Sequence, residues 1–212
     1  MKIIVPITYE KKFYKIIENK TIFMYILSLY LKIDYKIIEE NIIFDESTII
    51  YNDTIVKITL SNYVNLKKIN STKFKYLEIN FVKNYNAFFE DMIYVKKFDN
   101  VEVHYINLEV ILKQIYSKNR IELNNFERLI ILLTTTNRDE MKSVINNKYL
   151  YFIYKKTLEL NNKEIRLEYQ KDIKEIVDFD YYKREIINEI KLRLIKYLDI
   201  AKVEEVLDLW YN

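Results

Sequence analysis

The first part of the chain carries apolar residues at helical spacing. Between residues 10 and 33 they recur every three or four positions, at Phe13, Ile16, Ile17, Phe23, Ile26, Leu27 and Leu31. Polar residues interrupt this spacing at Asn19–Thr21. The pattern predicts a helical segment with a break near Asn19–Thr21.

After residue 36 the pattern changes to short β-branched or alternating runs. Such runs, bounded by polar turns, are typical of strands. Strands are predicted at Ile37-Ile38, Ile42-Ile43, Ile49-Ile50, Ile55–Ile58, Lys73–Lys83, Met92–Val95 and Val101–Ile106.

From Asn107 onward the apolar period is helical again. Helices are predicted at residues 108–116, 125–133, 137–145, 149–160 and 162–177, the last with a cap from Asn161-Asn162. The apolar spacing of residues 181–210 predicts one or two long amphipathic helices. Their apolar stripe comprises Ile186, Ile187, Ile190, Leu194, Leu198, Val203, Val206 and Leu209.

This order of elements predicts an α/β fold, with an α+β arrangement as the alternative. We expect a small mixed sheet with an N-terminal helix, capped by a helical C-terminal half. The predicted parts are an α/β core over residues 1–106 and a helical region over residues 107–212 that packs on it.

The composition excludes several kinds of site. The chain has no cysteine, which excludes disulfides, thiolate metal sites and cysteine nucleophiles. It has no glycine, which excludes glycine-rich phosphate loops. Positive-φ turns must then fall to Asn or Asp, and the predicted positions are Asn124-Asn125, Asn146-Asn147 and Asn161-Asn162.

Charge and hydropathy indicate the compartment. The net charge is +3, a weak basic bias for a dedicated nucleic-acid binder. The residues after Met1 show no secretory signal, and the longest apolar stretch, Ile22–Leu31, is shorter than the roughly 20 residues that cross a bilayer. We expect a cytoplasmic protein that does not enter a membrane.

Three segments together resemble a known family. They are the opening run Glu10–Ile17, the strand Val101–Leu108, and a late helix with Glu164, Arg166, Glu168, Tyr169 and Asp172. In this order they resemble the Rpn-type, PD-(D/E)XK nuclease family transposases. The resemblance implies a nuclease-like core in which an Asp and a Glu hold Mg²⁺ and a Lys or Gln lies beside the attacking water.

The metal motif of that family fits this chain in two ways, each with replacements. In the first, Asp45 is the metal Asp, and Thr59 and Ser61 replace the Glu and Gln of the following strand. In the second, Asp53 is the metal Asp, Glu78 is kept, and Asn80 replaces Gln. The resemblance therefore implies a degenerate centre without a cofactor. The alternative is a working Mg²⁺ site built from Glu10, Asp53 and Glu78.

Other residues carry weaker signals. Lys67, Lys68, Lys73 and Lys75 alternate with aromatic residues and predict a nucleic-acid contact, because aromatic rings stack on bases and lysines meet phosphates. The single histidine, His104, lies two residues from Glu102. We interpret it as a surface histidine, and a general base oriented by Glu102 is the alternative. We interpret Thr134–Thr136 as the end of one helix, followed by the cap of the next helix.

These observations favour a non-catalytic, nuclease-derived binding protein with a protein or nucleic-acid partner. Such a protein would suit an inhibitor or regulator of a nucleic-acid-processing or defence machine of a phage or mobile element. One alternative is an active Mg²⁺-dependent PD-(D/E)XK-like endonuclease. Another is a structural protein that forms a homodimer through its C-terminal helices, so that removal of residues 182–212 would change its assembly state.

Overall fold

The structure is a computed structural model that describes residues 4–45, 48–62, 74–83 and 91–175. The chain divides into two compact units, Met1–Ile165 and Arg166–Asn212. The first unit contains every strand and helix that is named below. In the second unit, residues 166–175 are helical, and Lys171 pairs with Glu175 at 3.7 Å.

The N-terminal helical segment is broken where the sequence predicts. Helix α1 is Glu10–Ile17 and helix α2 is Lys20–Leu31. The break is at Asn19, whose side chain accepts a hydrogen bond from the Ile22 N–H at 3.3 Å and so caps α2.

The strand predicted at Ile37-Ile38 is wrong, because these residues lie in helix α3, Tyr35–Asn41. Asp34 caps this helix, and its carboxylate accepts from the Lys36 N–H at 2.8 Å. Ile38 is fully buried and Ile37 is exposed. Two adjacent isoleucines carry no period, so the cap and the packing of Ile38 decide the local structure.

The remaining predicted strands form one six-stranded mixed sheet. They are β1 Ile42–Phe44, β2 Ile49–Tyr51, β3 Thr54–Ser61, β4 Lys75–Val82, β5 Ile93–Phe98 and β6 Val101–Asn107, in the order β1-β2-β3-β4-β6-β5. Strands β3, β4 and β6 are parallel, while β1-β2-β3 and β5-β6 pair antiparallel. The chain therefore has the predicted α/β fold, with a small mixed sheet.

Four further helices follow the sheet in the first unit. They are α4 Leu108–Tyr116, α5 Asn125–Thr134, α6 Arg138–Ser143 and α7 Lys148–Glu159, with a 3₁₀ turn at Arg120–Glu122 between α4 and α5. Strand β6 ends at Asn107, and α4 begins at Leu108. Residues of α4–α7 share one buried cluster with the sheet and with α1–α3.

The positive-φ positions differ from those predicted. Among the described residues they are Lys32, Asn52, Asp53 and Asp99, with φ between 44° and 60°. Three of the four are Asn or Asp, as the absence of glycine requires, but none belongs to the three predicted asparagine pairs. Those pairs contribute helix caps instead, at Asn124, Asn147 and Asn162, because an asparagine side chain satisfies the first free N–H groups of a helix.

The two faces of the sheet have different characters. One face carries Val56, Ile58, Leu60, Ile79, Phe81 and Ile106 into the cluster shared with the helices. The other face carries Thr59, Ser61, Glu78 and Asn80 beside a smaller cluster of Val82, Val101, Val103 and Tyr105. Because side chains alternate along a strand, the polar residues of β3 and β4 are brought together on one face.

Candidate functional site

The three carboxylates predicted as metal ligands belong to a turn, a strand and a helix. Asp53 is exposed in the β2–β3 turn, one residue before the position that pairs with Lys75. Glu78 lies four residues further along this register, or about 13 Å at the rise of a strand. Glu10, the first residue of α1, lies near Lys83, where its charge acts on the pKa of that lysine. Lys83 is five residues beyond Glu78, or about 17 Å.

These separations do not fit one magnesium ion. Oxygen ligands lie about 2.0–2.1 Å from Mg²⁺, so two of them on one ion are within about 4 Å of each other. Asp53 and Glu78 lie near the start and the middle of β4, and Glu10 is on α1, where its charge acts on Lys83. Across residues 4–45, 48–62, 74–83 and 91–175, no three His, Asp or Glu side chains form a group that could hold a metal.

The two placements of the family motif fall on the same patch of the sheet. Thr59 donates its hydroxyl to Glu78 Oε1 at 2.7 Å, and Ser61 donates to Asn80 Oδ1 at 2.9 Å. Thr59 and Glu78 are the residues that the two placements put at the family's Glu, and Ser61 and Asn80 are those put at its Gln. Asp45 follows β1, which is separated from β4 by β2 and β3, or about 14 Å at the spacing of strands. The hydrogen bonds thus join Thr59 to Glu78 and Ser61 to Asn80, while Asp45 and Asp53 lie away from these four residues.

Neutral hydroxyl groups hold the Glu78 carboxylate. Besides Thr59, the Tyr76 hydroxyl donates to Glu78 Oε2 at 3.1 Å. Burial raises the pKa of Tyr76, and the charge of Glu78 raises it further. Burial and the charge of Glu78 also raise the pKa of Tyr105. Tyr76 and Tyr105 are therefore kept as neutral phenols beside the carboxylate.

Only Lys75 of the predicted basic residues lies among the described residues. Lys67, Lys68 and Lys73 lie outside them, as does the C-terminal stripe from Ile186 to Leu209. Lys75 is exposed at the start of β4 and lines a cavity of about 430 Å³ together with Tyr76 and Lys97. One lysine of the predicted patch therefore lies beside an aromatic ring and a second lysine.

His104 is not the surface histidine that the alternation of β6 suggests, because its side chain is only 15% exposed. It lies on the helix-facing side of the sheet, where its Nδ1 is hydrogen-bonded to the Tyr30 hydroxyl of α2. Its Nε2 donates to Glu102 Oε1 at 2.5 Å. In the neutral imidazole, Nδ1 then accepts the hydrogen bond of Tyr30. The contact between His104 and Glu102 is present. Tyr30 was missed because it is 74 residues away from His104 in sequence.

The charges around His104 hold this chain of hydrogen bonds in place. Burial works to raise the pKa of Glu102, but hydrogen bonds and charge from Lys97 and His104 outweigh it and lower the pKa. Burial, aided by the charge of Glu102, raises the pKa of Tyr30. Tyr30 therefore remains a phenol, which is a weak nucleophile but a good hydrogen-bond donor to the imidazole.

A second site, which sequence reasoning missed, is a cavity of about 720 Å³ beside α2, here called the tyrosine cavity. Its walls come from α2, the α2–α3 turn, the start of β5, α4 and the N-terminus of α5. They include Tyr25, Tyr30, Ile33, Tyr35, Ile111 and Phe126. The tyrosines of α2 were visible in the sequence, but only the packing of α4 and α5 beside them makes a cavity.

The Thr134–Thr136 segment is the end of a helix, as predicted. Helix α5 ends at Thr134, whose hydroxyl donates to the Ile130 carbonyl at 2.8 Å. Asn137 then caps α6 through the N–H groups of Asp139 and Glu140. The threonines connect two helices.

Comparison of the chain with models of known protein families, with curated proteins and with solved structures gives no match. None of the helices in the described part of the chain has the length and apolar character needed to cross a membrane.

Proposed function

We propose that the protein acts by binding, and that the tyrosine cavity is its binding site. The volume of this cavity carries the proposal, because ligand pockets of proteins are typically about 300–1,000 Å³ and mostly apolar, with a few polar groups. The tyrosine cavity has this size and this mixture of aromatic, aliphatic and polar walls.

The placement of the carboxylates supports binding over metal-dependent cleavage. Asp53 lies in the β2–β3 turn, Glu10 on α1 and Glu78 on β4, and Glu78 accepts hydrogen bonds from Thr59 and Tyr76. Glu78 is half-buried, and these two hydroxyls give its carboxylate hydrogen-bond partners within the protein. We propose that these bonds stabilise the sheet.

The relation to a nuclease remains part of this proposal. It is supported by the order of elements, in which helices α1–α3 are followed by the antiparallel strands β1–β3 and then by β4, parallel to β3. The pairing of Thr59 with Glu78 and of Ser61 with Asn80 also supports it. A binding protein of this origin would suit an inhibitor or regulator of a nucleic-acid-processing or defence machine of a phage or mobile element.

Binding in the tyrosine cavity is tested with Nile red, a neutral apolar dye whose fluorescence rises in apolar surroundings. We expect saturable binding of one dye per chain. Gln114→Trp, at an exposed cavity-lining position of α4, should weaken binding at least tenfold because the indole fills the opening. The matched control is Lys113→Trp, at the adjacent exposed position outside the lining. If both variants bind as the parent chain does, the cavity is not the site.

The competing enzyme hypothesis has its own assay. The chain is incubated with single- and double-stranded DNA and RNA in Mg²⁺ or Mn²⁺, beside a chain carrying Asp53→Ala and Glu78→Ala. We expect no cleavage above background from either chain. Cleavage by the parent that the double variant loses would overturn the proposal that the protein acts only by binding.

Contact with nucleic acid is a second candidate function, favoured by the lining that Lys75, Tyr76 and Lys97 share. Fluorescence anisotropy with a labelled single-stranded oligonucleotide at several salt concentrations tests it. If Lys75 meets a phosphate, Lys75→Ala should weaken binding and lower the slope of log affinity against log salt by about 0.7. An unchanged slope would remove Lys75 from the interface.

A further inference from the structure

The walls of the tyrosine cavity are more apolar than their residue types indicate. Tyr25 accepts a hydrogen bond from Asn147 Nδ2 at 3.0 Å, Tyr30 is bonded to His104, and Tyr35 is bonded to Thr21. Because each hydroxyl already has a protein partner, the three rings can face an apolar ligand without leaving a buried polar group unpaired.

Most other polar groups of the lining are also bonded within the protein. Ser28 donates its hydroxyl to the Tyr25 carbonyl at 2.8 Å. Asn124 caps α5, and Asn125 Oδ1 accepts from Asn146 Nδ2 at 2.9 Å. The aliphatic side chains of Leu29, Ile33, Met92, Ile93 and Ile111 complete the lining. The cavity therefore suits a ligand with an apolar body.

The cavity lining contains one positive charge that no carboxylate of the lining compensates. Lys118 pairs with Glu127 at 2.5 Å, so these two charges compensate each other. Lys32, which ends α2 in the left-handed conformation, is exposed and also lines the cavity. No carboxylate of the described residues forms an ion pair with Lys32. Asp34, two residues further on, instead caps α3 through the Lys36 N–H.

We infer that the tyrosine cavity binds a small molecule with an apolar body and a single carboxylate, with the carboxylate at Lys32. The inference rests on the proposed binding function and names its ligand class. The apolar walls hold the body of the ligand, and the net positive charge of the lining selects an anionic head group over a neutral or cationic one. Medium-chain fatty acids have this chemistry.

Isothermal titration of the full chain with decanoate, decanol and decylammonium, each below its critical micelle concentration, tests the inference. The three probes share one apolar body and differ in head-group charge. We expect decanoate to bind about fivefold more tightly than decanol, as one exposed ion pair allows, and decylammonium to bind most weakly.

Two substitutions distinguish an effect of Lys32 itself from an effect of the overall charge of the protein. Lys32→Gln should remove the preference for decanoate and leave decanol binding unchanged. Lys36→Gln is the matched control, because Lys36 is an exposed lysine of the same region that does not line the cavity. It should leave both affinities unchanged. An equal effect of the two substitutions would overturn the role of Lys32.

The remaining outcomes distinguish the inference from the proposed function. Equal binding of the three probes, with loss in Gln114→Trp, would overturn the carboxylate preference and leave the cavity as the binding site. Binding of none of them would overturn the inference, and the Nile red titration would then decide the proposed function separately. If light scattering shows a dimer that Gln114→Trp dissociates, a second copy of the chain occupies the cavity, and the inference fails.

Discussion

At the scale of single residues, Lys12 shows how burial changes the chemistry of a side chain. Lys12 in α1 has no exposed surface, and its Nζ donates to the Val5 carbonyl at 2.5 Å. Burial lowers the pKa of Lys12 to about 7. The charged form is disfavoured because burial takes the ammonium group out of water.

This burial predicts a pH dependence of stability. Below pH 7 both states hold the proton of Lys12, and folding bears the full cost of burying the charge. Between pH 7 and about 10.4 the unfolded state holds more protons, so the free energy of unfolding should rise with pH, by at most about 1.4 kcal/mol per pH unit. Urea unfolding at several pH values measures the slope.

Lys12→Met should flatten this slope, because the titrating group is removed. Lys15→Met, at an exposed position of the same helix, is the control and should keep the slope of the parent chain. Equal slopes for the three chains would show that Lys12 stays charged in the folded state.

At the scale of elements, the paired asparagines serve as helix N-caps and not as positive-φ turn residues. The composition indicates that the paired asparagines would supply positive-φ turns, but one asparagine of each pair caps a helix instead. Helix α5 has a complete capping box, in which Asn124 accepts from the Glu127 N–H and Glu127 accepts from the Asn124 N–H, each at 2.9 Å. Two N–H groups are satisfied at one helix end, which lies at the tyrosine cavity.

The capping box predicts a measurable cost. Asn124→Ala should lower the free energy of unfolding by about 1 kcal/mol, because the Glu127 N–H loses its partner. Asn119→Ala is the comparison, since Asn119 caps only the three-residue 3₁₀ turn, through a bond of 3.5 Å. Asn119→Ala should lower the free energy of unfolding by less than Asn124→Ala does. Thermal unfolding measures both, and an equal or larger cost for Asn119→Ala would contradict this account of α5.

At the scale of the whole molecule, the first unit contains its own core. The sheet and helices α1–α7 share one buried cluster, to which α7 contributes Leu150 and Ile153 with no exposed surface. A unit with a core of its own can in principle fold alone. The contacts that form this core join residues more than a hundred positions apart, as in the bond between the Val5 N–H and Asn161.

A truncated chain tests this organisation. A chain of residues 1–165 should keep its circular dichroism and a cooperative thermal transition. A chain of residues 1–134 should not, because it lacks Met141, Leu150 and Ile153 of the core. Loss of the transition in the longer fragment would show that residues 166–212 are needed for folding. Light scattering of the same fragment also measures whether the assembly state depends on residues 166–212.

The sequence alone determined the class of fold and most of its elements, because the periods of apolar residues report which face of each element is buried. It predicted the break at Asn19, the strands β1–β6 and helices α4–α7, but not the positions with positive φ. It failed at Ile37-Ile38, where a cap and one buried side chain decided between helix and strand. Only the tertiary structure decided the sites. The distance between Asp53 and Glu78, the partner of His104 and the tyrosine cavity depend on strand register and helix packing, which join residues far apart in the chain.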